Sequence, residues 1–401
     1  MSDVVASRKP DSPIGEPMRD GTLPPKPSDV QPSGFGWSRI VRVLSVLGLL
    51  YIFLLSIGFI ETGFKTGGKP LAEALISTTT NPFIGLFIGI LATSLIQSSS
   101  TTTSLVVGLV AADALTLRNA VPFIMGANIG TSVTNTFAAL GSVTRKEEFK
   151  RAFAAATVHD FFNFMTVILL FPLEMKFHFL ESMAVWISAH LLGIEGGSFT
   201  SPVKMILKPV THAFRDLLQD GLGMARPAVV VTLVATGLGG LFLSLVYLSQ
   251  TLRRAMASAS ENAVRKVVGA NMYLALVIGT LLTVSVQSSS ITTSLFVPLV
   301  GTGLLTLEQV YPLMLGANVG TTVTALLASM VGNAAAIAIA LTHLCFNVVG
   351  ILIFLPMPFM RWPVWIARRF ANWATERRAM AIVYILVAFF GIPGFLIWLT
   401  R

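Results

Sequence analysis

Two apolar stretches, residues 82–112 and 272–302, are each interrupted at the centre by Gln-Ser-Ser-Ser, at 97–100 and 287–290. The interruption leaves arms of roughly 15 residues, about 22 Å of helix, against a hydrocarbon core of about 30 Å. Such arms are too short to span a bilayer. Each stretch is therefore expected to form a re-entrant helical hairpin with its polar turn near mid-membrane. Backbone that leaves the helix at that depth is tolerated only where protein or a water-filled cavity satisfies it.

The two stretches belong to an internal repeat. Asn81, Gln97 and Asn128 recur 190 residues later as Asn271, Gln287 and Asn318, and residues 97–134 match 287–324 without a gap at 22 of 38 positions. At an offset of 184, His159, Phe162, Asn163 and Pro172 recur as His343, Phe346, Asn347 and Pro356. Each repeat thus reads as a hairpin followed by two spans.

Seven other apolar runs are long enough to cross, near 40–60, 119–140, 152–171, 228–249, 309–330, 335–355 and 380–399. Composition agrees: 54% of the 401 residues are apolar and 12% charged, about half the charge of a soluble domain. Large soluble domains are thereby excluded. The surplus of 28 basic over 19 acidic residues, +9, is read as cytoplasmic loop charge rather than as a nucleic-acid surface. One cysteine, Cys345, excludes an intrachain disulfide framework and a cysteine-ligated zinc site.

Three crossings lie between the hairpins, and an odd number inverts the second repeat. The basic clusters Arg145–Arg151, Arg253–Lys266 and Arg361–Arg378 then all fall inside, as the positive-inside bias requires. An all-α integral membrane protein with two inverted-topology repeats and broken transmembrane helices is the expected fold, an architecture of alternating-access transporters. The expected organisation is a disordered tail over 1–37 with seven prolines before residue 36, and a first anchor and loop over 38–70. Repeat one covers 71–172, an outer loop with a connecting span and basic loop 173–260, repeat two 261–356, and a basic loop with the final span 357–401. Arg39 and Arg42 place the N-terminus in the cytoplasm. Leu71–Thr80 and the segment holding Phe177, Phe179, Leu180, Met183, Trp186 and Ile187 are read as helices in the outer interface or as ordinary packing.

Each repeat carries a dense set of neutral oxygen ligands. Repeat one offers Gln97 to Ser104, then Asn128, Thr131, Ser132 and Thr134; repeat two offers Gln287 to Ser290, Thr292 to Ser294, Asn318, Thr321, Thr322 and Thr324. Hydroxyl and carbonyl oxygens suit a hard cation such as sodium, and hydroxyls with helix-start N–H groups suit an oxyanion. Serine and threonine also glue membrane helices, but four consecutive polar residues in each of two hairpins would be a costly way to pack. The glycines around Asn128 and Asn318 either break their helices or allow close packing; one glycine would read as packing alone, but the duplicated Gly-Ala-Asn-x-Gly-Thr is read as more than packing, so a break at each asparagine is expected. His159 and His343 read as packing histidines more readily than as a proton relay, whereas Asp160, opposite Leu344 in repeat two, is an intramembrane carboxylate and a functional candidate. An intramembrane hydrolase or acyltransferase using a serine with His159 and Asp160 is disfavoured. An enzyme needs one asymmetric nucleophile and base, and here the serines and the histidine are duplicated.

GANIGTSVTNT from Gly126, AFAAATVHDFFNF from Ala152 and QSSSITTSLFVPLVGTGLLTLEQVYPLMLGANVGTTVTALLAS from Gln287 resemble the type II sodium-dependent phosphate cotransporters, over about residues 40–395. The resemblance implies a sodium/phosphate symporter in the plasma (inner) membrane, not an enzyme. It needs no cofactor beyond co-transported Na+, and inorganic phosphate, Na+ and the lipid bilayer are its partners. A homodimer is left open and nucleic acid is not expected; another oxyanion or a dicarboxylate is the alternative cargo.

By the same resemblance Gln287, Ser288, Thr321 and Thr324 fall at sodium positions, and Gln97 and Asp160 are counted with them. Ser98, Ser99, Ser100, Ser289 and Ser290, with Asn128 and Asn318, are counted with phosphate. Asp160 is taken as the position where electrogenic members carry aspartate and electroneutral ones glycine. The short, cysteine-free segment 173–227 resembles a bacterial member. The chain ends after one span beyond repeat two, where longer relatives continue, so its C-terminus is expected outside.

Overall fold

The computed structural model describes residues 37–68, 80–131, 133–192, 202–256, 271–356, 361–377 and 379–400. The proline-rich tail to residue 36, most of Leu71–Thr80, Ser132 and residues 261–270 lie outside them. The chain divides into two compact units. Of Met1–Val43 only the first turns of helix α1 (Trp37–Gly67) are described; everything below concerns Leu44–Arg401.

The described residues are helical throughout, with no strand among them. Six helices are long and apolar enough to cross a membrane: α1, Lys146–Phe177, Arg226–Leu248, Leu307–Ser329, Ala334–Phe354 and Ala379–Leu399. The protein is an all-α membrane protein. Lys146–Phe177, Leu307–Ser329 and Ala334–Phe354 are mostly buried inside the structure, and the other three mostly face outward.

The run expected to cross at 119–140 is described as two helices, α4 (Leu117–Gly130) and α5 (Val133–Leu140), on either side of Ser132. Its counterpart in the second repeat, α12 (Leu307–Ser329), continues unbroken through Asn318. The expectation of a helix broken at that asparagine is thus corrected in repeat two, and the glycines explain why. A Cβ at Gly316 would lie 2.0 Å from Leu276 O, and one at Gly279 2.0 Å from Leu313 O. Helix α12 therefore touches α10 (Met272–Val286) backbone to backbone. In repeat one α2 (Pro82–Ile96) meets α4 in the same way, a Cβ at Gly126 falling 2.0 Å from Leu86 O and one at Gly89 2.3 Å from Phe123 O. Small residues let membrane helices approach this closely.

The caps are duplicated as well. Asn81 and Asn271 accept the N–H of Phe83 and Tyr273 at 3.0 and 2.8 Å at the starts of α2 and α10. Thr116 and Thr306 cap α4 and α12, the second with a reciprocal bond from Thr306 N to Gln309 Oε1.

Helix α7 (Phe179–Leu192) occupies the segment expected in the outer interface. Leu180 and Ala184 are buried, while Phe179, Val185 and Trp186 are exposed. It packs along α13 (Ala334–Phe354). An additional helix, α8 (Pro202–Asp216), precedes the connecting span and is absent from the sequence expectations.

Candidate functional site

The two Gln-Ser-Ser-Ser turns have one geometry. Helix α2 ends at Gln97 and helix α10 at Gln287, both in the left-handed region with φ of 58° and 55°. The following serine is extended and caps the next helix: Ser98 Oγ accepts from Thr101 N at the head of α3 (Ser99–Ala111), and Ser288 Oγ from Ile291 N at the head of α11 (Ser289–Gly301). The left-handed glutamine and the extended serine end one helix and start the next within two residues, so a helix end and a helix start meet at one point. A left-handed side-chain-bearing residue is costly, and it recurs at the same place in both repeats.

Each glutamine is held by the helix it terminates. Gln97 Nε2 donates to Ser94 O, and Gln287 Nε2 to Val284 O at 2.7 Å. The amide oxygens face the opposite way and accept hydroxyls 37 residues on, Thr134 Oγ1 at 2.8 Å and Thr324 Oγ1 at 2.7 Å. Gln97 with Thr134, and Gln287 with Thr324, are thus brought together. Thr321 Oγ1 donates to Ala317 O at 3.0 Å, one turn before Thr324 on α12.

Ser99, Ser100, Ser289 and Ser290 are all buried in the first turns of α3 and α11. Helix geometry leaves the first-turn N–H groups without a carbonyl four residues back, and the helix dipole favours an anion there. The buried hydroxyls of Thr93 and Thr283, again counterparts, have no hydrogen-bond partner among the described residues.

Asn128 and Asn318 are buried and tied crosswise between the repeats. His159 Nε2 meets Asn318 Oδ1, and His343 Nε2 meets Asn128 Oδ1 at 3.1 Å. With a hydrogen on Nε2, each ring donates to an asparagine of the other repeat. Asn163 completes the link by donating to Asn128 O at 2.8 Å and accepting from Asn318 Nδ2 at 3.0 Å. Both histidines are buried, and each meets an asparagine of the other repeat. A further bridge, Thr293 Oγ1 to Asn135 Oδ1 at 2.8 Å, joins α11 to α5. Asn135 and Asn163 were missed as site neighbours by sequence reasoning; their signal was an uncommon amide in an apolar run.

Asp160 is fully buried on the same helix as His159, and Tyr384 Oη of the last span donates to its Oδ2 at 2.9 Å. The structure thus joins Asp160 on its long buried helix to Tyr384 near the end of the chain.

The sequence model of the Na+/Pi-cotransporter family matches residues 52–196 and 241–370, spanning both turns, both crosswise histidines and Asp160. The chain belongs to that family. Sodium-dependent phosphate transport protein 2B of Homo sapiens is 33% identical over 467 residues, covering 91% of this chain and 68% of the relative. The 2B protein of Pongo abelii gives the same figures. Sodium-dependent phosphate transport protein 2A of Rattus norvegicus is 32% identical over 432 residues, 89% of this chain and 67% of the relative. No solved structure matches. The Na+/Pi-cotransporter family consists of transporters and not enzymes, which removes the hydrolase reading. Between the two matched segments lies α8, the helix that sequence patterning did not anticipate.

Proposed function

We propose that the protein is a sodium-coupled symporter carrying inorganic phosphate into the cell by alternating access, with net inward positive charge. The observation that carries this reading is the duplicated turn. Two left-handed glutamines, each closing on a threonine 37 residues later, stand beside two buried serine-rich helix starts. Names of relatives with a third of the sequence in common support sodium and phosphate as cargo.

In this reading Gln97, Gln287, Ser288, Thr321 and Thr324 supply oxygens to sodium, with Asp160 serving a further ion. Ser98, Ser99, Ser100, Ser289 and Ser290 offer hydroxyls and first-turn N–H groups to phosphate, and Asn128 and Asn318 line its approach. The α2–α3 and α10–α11 pairs are re-entrant hairpins of inverted repeats, one opening outward and one inward, with the repeat boundaries at 71–172 and 261–356. The plasma (inner) membrane is its location, with the N-terminus in the cytoplasm and the C-terminus outside. No cofactor is needed besides the co-transported ion.

Uptake of labelled phosphate into liposomes, with sodium or choline outside, tests the function. Sodium-driven uptake is expected; cargo other than phosphate, or uptake indifferent to sodium, would overturn it. Gln287→Ala and Thr321→Ala should raise the sodium concentration needed for half activation by about tenfold, the effect of losing about 1.4 kcal/mol of ligand interaction. Ser99→Ala should chiefly raise that for phosphate. Normal apparent affinities in all three folded variants would make the duplicated motif structural.

Topology has its own test. In a Cys345→Ser background, a cysteine at Lys150 should resist an impermeant thiol reagent in intact cells, and one at Phe179 should react. Labelling at position 150 would sink the inverted arrangement.

A further inference from the structure

A polar cavity of about 700 Å³ lies between α1 and α8, with no residue of the Gln-Ser turns in its lining. Its walls follow helix periodicity. Glu61 and Lys65 come from successive turns of α1; Lys208, Thr211, His212 and Arg215 come from one face of α8. The two helices touch where Gly58 admits Thr211, a Cβ at Gly58 falling 3.0 Å from Thr211 Cγ2, and where Phe59 meets Phe214 edge-on at 5.2 Å. Arg226 Nε donates to Thr66 O at 2.6 Å and closes the end of α1.

Three cations, Lys65, Lys208 and Arg215, line it; Glu61 pairs with Lys65 and Asp216 with Arg215, so 3 − 2 leaves a surplus of one positive charge, at Lys208. Glu61 is nearly buried and holds Lys65 Nζ at 2.7 Å, which orders that wall. Arg215 shares its guanidinium with Asp216 at 2.6 Å and keeps further N–H donors. Burial, and then the positive charges of Arg215 and Lys208, hold the His212 imidazole below its ordinary range, so at neutral pH it is an uncharged ring able to donate one N–H. The same helix exposes Met205, Ile206 and Val210 to the surroundings. A cavity of 700 Å³ exceeds one inorganic phosphate and lies within the usual range for a larger ligand.

We infer that this cavity is a binding site for a phosphate group, separate from the transport site, with Lys208 and Arg215 as its principal ligands. Two sources present that chemistry, a glycerophospholipid headgroup and free phosphate. The cavity's size and the exposed apolar residues of α8 favour the headgroup.

The test uses full-length protein in dodecyl maltoside, without sodium, carrying Thr66→Cys at the cavity wall and Cys345→Ser. The readout is the rate of thiol modification with dioctanoyl phosphatidylglycerol, with inorganic phosphate, or with dioctanoylglycerol, which has the same chains and no phosphate. Protection of about fivefold is expected at about four times the dissociation constant, since only unoccupied protein reacts. Protection by phosphatidylglycerol assigns the headgroup; protection by inorganic phosphate assigns the free ion. Lys208→Gln with Arg215→Gln should abolish protection, and Ser99→Ala should leave it intact. If the double variant does not fold, Arg215→Gln alone should reduce protection at the same ligand concentration. No protection by either phosphate compound, equal protection by dioctanoylglycerol, or protection that survives loss of both cations would overturn the assignment. Protection that persists in a protein lacking sodium-driven uptake would uphold it while the transport reading failed.

Discussion

Gly316→Ala is expected to destroy the folded protein rather than tune it. The added methyl would sit 2.0 Å from Leu276 O and 2.8 Å from Thr280 N. Both are backbone atoms of a neighbouring helix, so no side chain can rotate away. The two helices must separate, with loss of packing along α10 and α12 and a cost of about 3 kcal/mol or more. Gly126→Ala should behave alike, its methyl meeting Leu86 O at 2.0 Å. Gly48→Ala is the control, since nothing lies within 4 Å of its added carbon and alanine is the better helix former by about 1 kcal/mol. Thermal unfolding and monodispersity of the three purified variants decide the matter. A Gly316→Ala protein as stable as the native one would show that the close crossing is not required.

Asp160→Gly is expected to convert voltage-driven transport into electroneutral transport without abolishing it. Each charge moved across 100 mV is worth about 2.3 kcal/mol, so divalent phosphate entering against an inside-negative potential of that size costs about 4.6 kcal/mol. Two sodium ions only cancel this electrically; a third gives net inward positive charge. Asp160, buried within a span, would neutralise that third ion where an unscreened carboxylate is expensive.

The hydrogen bond from Tyr384 Oη to Asp160 Oδ2 at 2.9 Å supplies a discriminating second variant. If Asp160 holds an ion, Tyr384→Phe keeps the voltage dependence and loses about 1.5 to 3 kcal/mol of stability, the worth of a hydrogen bond to a charged group. If the aspartate is only a structural partner of the tyrosine, both variants lose stability and neither changes the voltage response. Uptake into liposomes clamped with potassium and valinomycin measures this directly. An Asp160→Gly protein as responsive to voltage as the native one would remove Asp160 from charge coupling.

Much of the fold follows from sequence because its signals are local. An apolar run must cross or be buried whatever it packs against, so six of the expected spans appear as single long helices. The duplicated capping residues, the left-handed Gln97 and Gln287, and the serine starts of α3 and α11 depend on neighbours within four residues, which is why one repeated motif gives one repeated turn. Which residues meet across the repeats is a different kind of information. In a membrane helix every face is apolar, and hydrophobic periodicity no longer says which face turns inward.

Hence no pattern announces that His159 reaches Asn318, that His343 reaches Asn128, or that Tyr384 bonds Asp160 across 224 residues. The two glycine crossings were equally ambiguous, since Gly-Ala-Asn-x-Gly serves a break and a close contact alike; only the carbonyl of Leu276 beside Gly316 chooses the contact. The basic cavity arises from α8, a helix outside the repeats, docking its charged face on α1. Sequence by itself determined the membrane class, the duplication and the local geometry of each turn, because those rest on composition, on the self-similarity of the chain and on nearest neighbours. The tertiary structure alone decided which buried polar groups are partners, because partnership depends on distances between helices that are far apart along the chain.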